Sequence, residues 1–185
     1  YNVPMAWASV TAGGTGIELK WRDNGDSYFT IRRAPYGTDD YRDIVVRLDA
    51  SLAKAGDGFL YYQDRNVTPG QRYSYQIRCI DALDNGEHSY TKSALNITCL
   101  AAPQLISYGV NDKGELILAW NTVPGAVQYQ LFDESTWSSI TYTGGTSYII
   151  QKPVVTGTTG GYNNITLYAI SADGNRSEGT NHRIR

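Results

Sequence analysis

The chain of 185 residues holds two cysteines, two histidines and one methionine, and each scarcity closes a route to function. Cys79 and Cys99 could close one bridge at most, too few for a disulfide framework in place of a core. His88 and His182 are the only imidazoles. Neither stands beside a Ser or Cys in a nucleophile motif, and HExxH, GxSxG and phosphate-loop patterns are absent. Charge is sparse as well. Charged residues make up 18% and the net charge is −2, with no basic run to neutralise a row of phosphates, which argues against a nucleic-acid partner. No apolar stretch approaches the ~18 residues that a membrane-crossing helix needs, so no membrane insertion is expected. The chain begins at Tyr1 with neither an initiator Met nor a signal peptide, and the expectation is a piece of a longer protein.

What the chain does have is 41% hydrophobic residues, 15 Tyr and 19 Gly, the composition of a packed core made from short strands and tight turns. Alternation of period two dominates. GIELKW puts Ile17, Leu19 and Trp21 on one face with Glu18 and Lys20 on the other, and SYFTIRRA aligns Phe29 with Ile31. RYSYQIRCI sets Tyr73, Tyr75, Ile77 and Cys79 against Ser74, Gln76 and Arg78. RDNGD, APYGTDD, KAGDG, VTPGQ and LDNGE separate these runs and read as turns. Only DASLAKAG suits a helix, of one or two turns.

The pattern then repeats. LILAW, with Leu116, Leu118 and Trp120, copies IELKW; VQYQLF copies YFTIRR; LYAISADGNRS copies RCIDALDNGEHS. The interval from Ile31 to Ile80 is about ten residues longer than that from Leu131 to Ile170, so the second copy is shorter in its middle. The boundary falls in CLAAPQL at Pro103, giving expected domains 1–100 and 101–185 joined by a short, restricted hinge.

Each copy resembles a fibronectin type III domain. The likeness lies in an apolar-x-apolar-x-Trp strand, then an aromatic-x-aliphatic strand, then a Pro-Gly turn, a Tyr-x-aromatic-x-aliphatic strand and an Asp/Asn-Gly hairpin. The first copy matches throughout, and its forms look most like the bacterial branch found as accessory modules in secreted glycan-degrading enzymes and surface proteins. The resemblance implies an all-β chain of two tandem immunoglobulin-like β-sandwiches. It also implies a structural part for the tyrosine-rich stretch 61–79: Tyr73 as the tyrosine corner, its hydroxyl reaching back to the turn backbone, with Trp21 packing across the core. Asp64 is expected to accept hydrogen bonds from the turn. Trp120 takes the place of Trp21 in the second copy. There Asn163 stands where Tyr73 does, so this copy either lacks the corner or uses Tyr162. Cys79 takes an inward position where the family has a small residue, and is expected to be a buried free thiol.

Chemistry is thinly represented. DNGD at 23–26 and DALDNGE at 81–87 have oxygen donors, but Leu83 and Lys92 stand where a calcium loop needs ligands, and the turn reading is preferred. Asn-x-Ser/Thr sequons occur at Asn66, Asn96, Asn164 and Asn175 and keep a glycoprotein open. No catalytic residues, cofactor or metal site are expected. The function that fits is a non-catalytic spacer or support module of a larger secreted or cell-surface protein, carbohydrate-active and bacterial by the resemblance. It would be monomeric and extracellular, with its neighbouring domains as partners. Two alternatives are kept: a module binding polysaccharide or another surface protein, and an adhesion or receptor ectodomain. For the sugar-binding alternative the candidate rings are Trp137 and Tyr142. Five residues apart, they would lie on opposite faces of an uninterrupted strand, so a turn must fall between them.

Overall fold

The computed structural model describes residues 5–80, 90–91, 93–151 and 163–184, and the chain divides into two compact units. The first unit contains β1 (Ala6–Val10), β2 (Ile17–Arg22), β3 (Tyr28–Pro35), β4 (Arg42–Asp49), the one-turn helix α1 (Ala50–Ala53), β5 (Phe59–Asp64), β6 (Arg72–Ile80) and β7 (Leu95–Thr98). Its antiparallel sheets run β1-β2-β5 and β4-β3-β6-β7. The second unit contains β8 (Leu105–Val110), β9 (Leu116–Trp120), β10 (Ala126–Asp133), β11 (Ser138–Tyr142), β12 (Ser147–Ile150), β13 (Asn163–Ser171) and β14 (Thr180–Ile184), in sheets β12-β9-β8 and β11-β10-β13-β14. In both units the first, second and fifth strands make one sheet and the other four make its partner. The fold is all-β: two successive immunoglobulin-like sandwiches with the fibronectin type III strand order.

Period-two patterning explains why these segments pair as they do, since a one-residue slip would turn each apolar set outward. Ile17, Leu19 and Trp21 are fully buried on β2, as are Phe29 and Ile31 on β3 and Tyr75, Ile77 and Cys79 on β6. Trp21 meets Phe29 across the sandwich with ring centroids 5.3 Å apart. The second core repeats the plan with Leu116, Leu118 and Trp120 against Tyr129, Leu131, Ile165 and Leu167, and Trp120 lies 5.5 Å from Tyr129. Each such ring or aliphatic chain stabilises its unit by roughly 1.5–3 kcal/mol when removed from water. Ser74 departs from the alternation. It is buried, because its hydroxyl donates to Asn96 on β7 at 2.7 Å.

The two copies differ between their fourth and fifth strands. In the first, residues 50–58 include α1, capped by Asp49, whose carboxylate accepts the Ser51 amide, and Ala50 and Ala53 are buried. In the second, only residues 143–146 join β11 to β12. The shortening read from the repeat is located here in part, and the second copy has no helix at this place.

Candidate functional site

In the first unit, polar chemistry converges on Asp64. β5 ends there, and period-two geometry turns its carboxylate inward to a site only 4% exposed. Arg33 comes from β3, on the same face as Phe29 and Ile31, and its Nη1 lies 2.7 Å from Asp64 Oδ2. Tyr75, from β6, donates its hydroxyl to the same oxygen at 2.7 Å. The Asn66 amide donates to Oδ1 at 3.1 Å, and Arg33 Nη1 also donates to the Asn66 carbonyl at 2.8 Å. Burial first, then the Asp64 hydrogen bond, push the Tyr75 phenol far above its ordinary pKa, so it remains a donor. This is a clamp tying the two sheets together. The expected turn contact of Asp64 is present as the Asn66 bond; Arg33 and Tyr75 as partners were not foreseen. The signal for Arg33 was its place in the alternation of Phe29 and Ile31.

Tyr73 stands beside the clamp, its ring 5.2 Å from the Arg33 guanidinium. Where the resemblance implied a hydroxyl donating to the turn backbone, the Thr68 N–H donates to the hydroxyl oxygen, at 2.7 Å. The tyrosine is the acceptor in this bond. The second unit has a counterpart on a different strand. Tyr129 of β10 accepts the Val123 N–H at 3.0 Å, just ahead of Pro124 and Gly125. The extra residue between that Pro-Gly pair and its tyrosine is absorbed by a bulge at Ala126/Gln128. Asn163 is fully buried at the start of β13, and Tyr162 lies outside the described residues. Tyr73→Phe is expected to cost the first unit ~0.5–1.5 kcal/mol, and Tyr129→Phe ~1–3 kcal/mol because the donor it abandons is buried. Urea midpoints of the two variants check the ordering.

Four outward rings of the first unit already carry a cation on one face. Lys20 Nζ sits 4.1 Å over Phe59, Arg32 3.7 Å over Tyr90, Arg47 3.9 Å over Tyr28 and Arg72 3.5 Å over Tyr36. Sequence reasoning missed this set, although the cations stand on outward positions of β2, β3, β4 and β6 among strands rich in tyrosine. A ring face occupied by a cation is not open to stack on a sugar.

The sugar-facing candidates lie in the second unit. Trp137 is 81% exposed and holds a left-handed φ of 53°, an uncommon conformation for a bulky residue. It belongs to the turn between β10 and β11, so the chain break precedes β11 and does not fall between the two rings. Trp137 packs edge-on to Phe132 at 5.9 Å; Tyr142, at the other end of β11, packs edge-on to Tyr148 at 5.2 Å. The strand keeps them ~16 Å apart, and they form no common platform. Between them the gap separating β11 from β12 is open. One trough of about 750 Å³ is lined by Tyr142, Gly144, Tyr148 and Ile149, and a deeper cavity of about 330 Å³ is lined by Asp133, Ile140, Ile150 and Ile165.

The remaining candidates are structural. Gly25 and Asp26 donate their amides to Asp23 and Asn24, so the 23–26 oxygens serve the turn. Residues 81–87, His88 and Lys92 lie outside the described residues. Among the described residues no group of three or more His, Cys, Asp or Glu could hold a metal, and no helix is long and apolar enough to cross a membrane. His182 stands on β14 opposite Ile165, and burial lowers its pKa.

Neither cysteine is disulfide-bonded, and both are fully buried. The Cys99 amide donates to the Gln71 carbonyl, so Cys99 lies at one end of β6 and Cys79 near the other. Eight residues of strand span ~26 Å, whereas a bridge needs its Cα atoms within ~7 Å. Burial, followed by the nearby Asp26 charge, pushes the Cys79 thiol up to about 12. Neither thiol should react with a disulfide reagent at pH 8 in native buffer, and both should react in denaturant. Rapid reaction of a native thiol would contradict this burial.

No protein-family model and no curated protein matches the chain. Among solved structures it is similar to a two-domain fibronectin type III segment of chicken tenascin, at 10% identity and TM-score 0.46, over 98% of each chain. It is also similar to the FN1–FN3 domains of chicken CNTN1, at 15% identity and TM-score 0.39, over 100% of this chain and 68% of that one. At such identities the likeness concerns the fold alone.

Proposed function

We propose that this chain is a non-catalytic spacer or support module of a larger secreted or cell-surface protein, with a bacterial carbohydrate-active protein as the parent. The observation that carries this reading is the closed polar chemistry of the first unit. The Asp64 carboxylate is consumed by Arg33, Tyr75 and Asn66, and four of the outward rings carry Lys20, Arg32, Arg47 and Arg72. Groups spent on holding two sheets together are not available to a substrate. The work left for such a unit is to position its neighbours.

One observation favours a second reading, a polysaccharide-binding module: Trp137 is held in a left-handed turn with most of its ring in water. The two readings separate in one experiment. The full chain is titrated against a panel of plant and host polysaccharides by affinity electrophoresis and calorimetry, and the spacer reading expects no retardation and no heat. Affinity that is lost in Trp137→Ala, with the fold intact by circular dichroism, moves the assignment to a binding module.

A further inference from the structure

The two units share their ladders, so each position of the first has a counterpart in the second. In the first, Arg33 faces Tyr75 across β3 and β6, and Asp64 faces Ile17 across β5 and β2. The same places in the second are held by Asp133 facing Ile165 and by Ile150 facing Leu116. The cation, anion and phenol of the first clamp have become a carboxylate and two isoleucines. All three line the cavity of about 330 Å³, together with Leu131 and Ile140 and the polar Thr136, Ser138 and Gln151. Among the described residues, the space that the first unit fills with its clamp is left open in the second.

The sign of charge is inverted as well. Where the first unit places the β3 guanidinium, the second places the Asp133 carboxylate, 8% exposed. One of its oxygens accepts the Ser135 amide at 2.9 Å; the other has no hydrogen-bond partner among the described residues. A buried carboxylate is costly unless a cation or donors meet it. A calcium ion would need six or more oxygens, roughly, several of them carboxylate, and this cavity offers one carboxylate, the Thr136 and Ser138 hydroxyls and the Gln151 amide beside its aliphatic residues. A flat neutral sugar would need an open ring, and none lines the cavity. What fits four aliphatic side chains with one anion and a few neutral hydrogen-bonding groups (Thr136, Ser138, Gln151) at their edge is a single positive head with several N–H donors on an apolar stem.

We propose that this cavity binds a protonated alkylguanidine or alkylamine, its head paired with Asp133 and its stem packed on Leu131, Ile140, Ile150 and Ile165. The cation so bound restores the charge pair that the first unit builds from its own strands. The volume lies at the lower end of the range, roughly 300–1,000 Å³, of small-molecule sites, enough for one side chain of arginine or lysine length. The inference stands apart from the spacer reading, because a support module can carry such a site or lack it.

The test uses the full chain with isoleucine methyl groups labelled for NMR. Butylguanidinium is expected to shift the Ile140, Ile150 and Ile165 signals saturably, and n-butanol, alike in stem and without charge, should bind about tenfold more weakly or worse. Asp133→Asn should weaken butylguanidinium to the level of butanol while leaving the free spectrum folded. Ile165→Tyr, which installs the first unit's residue at the same ladder position, should fill the cavity and abolish the shifts. A short peptide with one central arginine distinguishes the source: binding at least as tight as butylguanidinium assigns the site to a partner polypeptide, and failure of the peptide assigns it to a free small cation. Equal binding of butanol and butylguanidinium, unchanged affinity in Asp133→Asn, or no saturable shift would overturn the proposal.

Discussion

Asp64→Ala is expected to lower the stability of the first sandwich by ~2–4 kcal/mol. Three donors meet at this carboxylate, from two strands and the turn after β5, and all three are stranded together when it goes. Removing one partner of a buried ion pair costs ~3–5 kcal/mol, because the charge left behind keeps its desolvation without its attraction. The figure is set lower here because the Arg33 side chain is 20% exposed and can turn toward water. The Tyr75 hydroxyl cannot. It is fully buried, so its lost bond falls at the expensive end of the range. Asp64→Asn keeps an oxygen of nearly the same shape and removes only the charge, and should cost less than half as much. Urea denaturation of both variants gives the comparison, and a loss under about 0.5 kcal/mol for Asp64→Ala would show that the clamp is incidental to stability.

The clamp also shows what sequence reading reaches and what it leaves. Trp21, Tyr73 and Trp120 were legible because each belongs to a local pattern, two to a period-two run and one to a Pro-Gly turn at fixed spacing. Arg33, Asp64 and Tyr75 are 31 and 11 positions apart, and only the pairing of β3 with β6 and the packing of β5 across from them make neighbours of them. Half of the signal was present: Arg33 shares its face with Phe29 and Ile31, and a charged residue on a core face implies a buried partner. The identity of that partner is a tertiary fact. The same holds for Tyr129, whose Pro-Gly turn was visible at Pro124 and Gly125. The bulge that brings its hydroxyl to Val123 was not.

The cavity beside Asp133 was beyond sequence for a different reason. Alternation places Asp133 on the face of Tyr129 and Leu131, and ordinary repeat alignment places it opposite Arg33. Neither gives a volume. A void arises where several side chains are jointly too small for the space between two backbones, and that sum involves Ile150 and Ile165 on strands distant in sequence.

Trp120→Ala carries the largest expected effect, ~3–5 kcal/mol on the second sandwich. Trp120 is 1% exposed, and it meets Tyr129 at 5.5 Å, the ring whose hydroxyl secures the Val123 turn. Truncation therefore removes the buried indole surface, leaves a void, and loosens the ring that anchors the turn. The second unit has less in reserve than the first: the Arg33–Asp64–Tyr75 clamp has no equivalent there, and the space beside Asp133 is already open. One gain offsets part of the loss, since the indole N–H is buried with no acceptor among the described residues and its removal relieves that cost. The same subtraction applies to Trp21, whose indole N–H is equally unmatched, so the two tryptophans can be compared directly. Trp21→Ala loses a similar area but leaves a unit still tied by its clamp. Calorimetry of the two variants should show Trp120→Ala with its second-unit transition lost or far below the wild-type temperature, and Trp21→Ala with a lowered but distinct first-unit transition. Equal residual stability in the two damaged units would mean that the clamp adds nothing that the open cavity lacks.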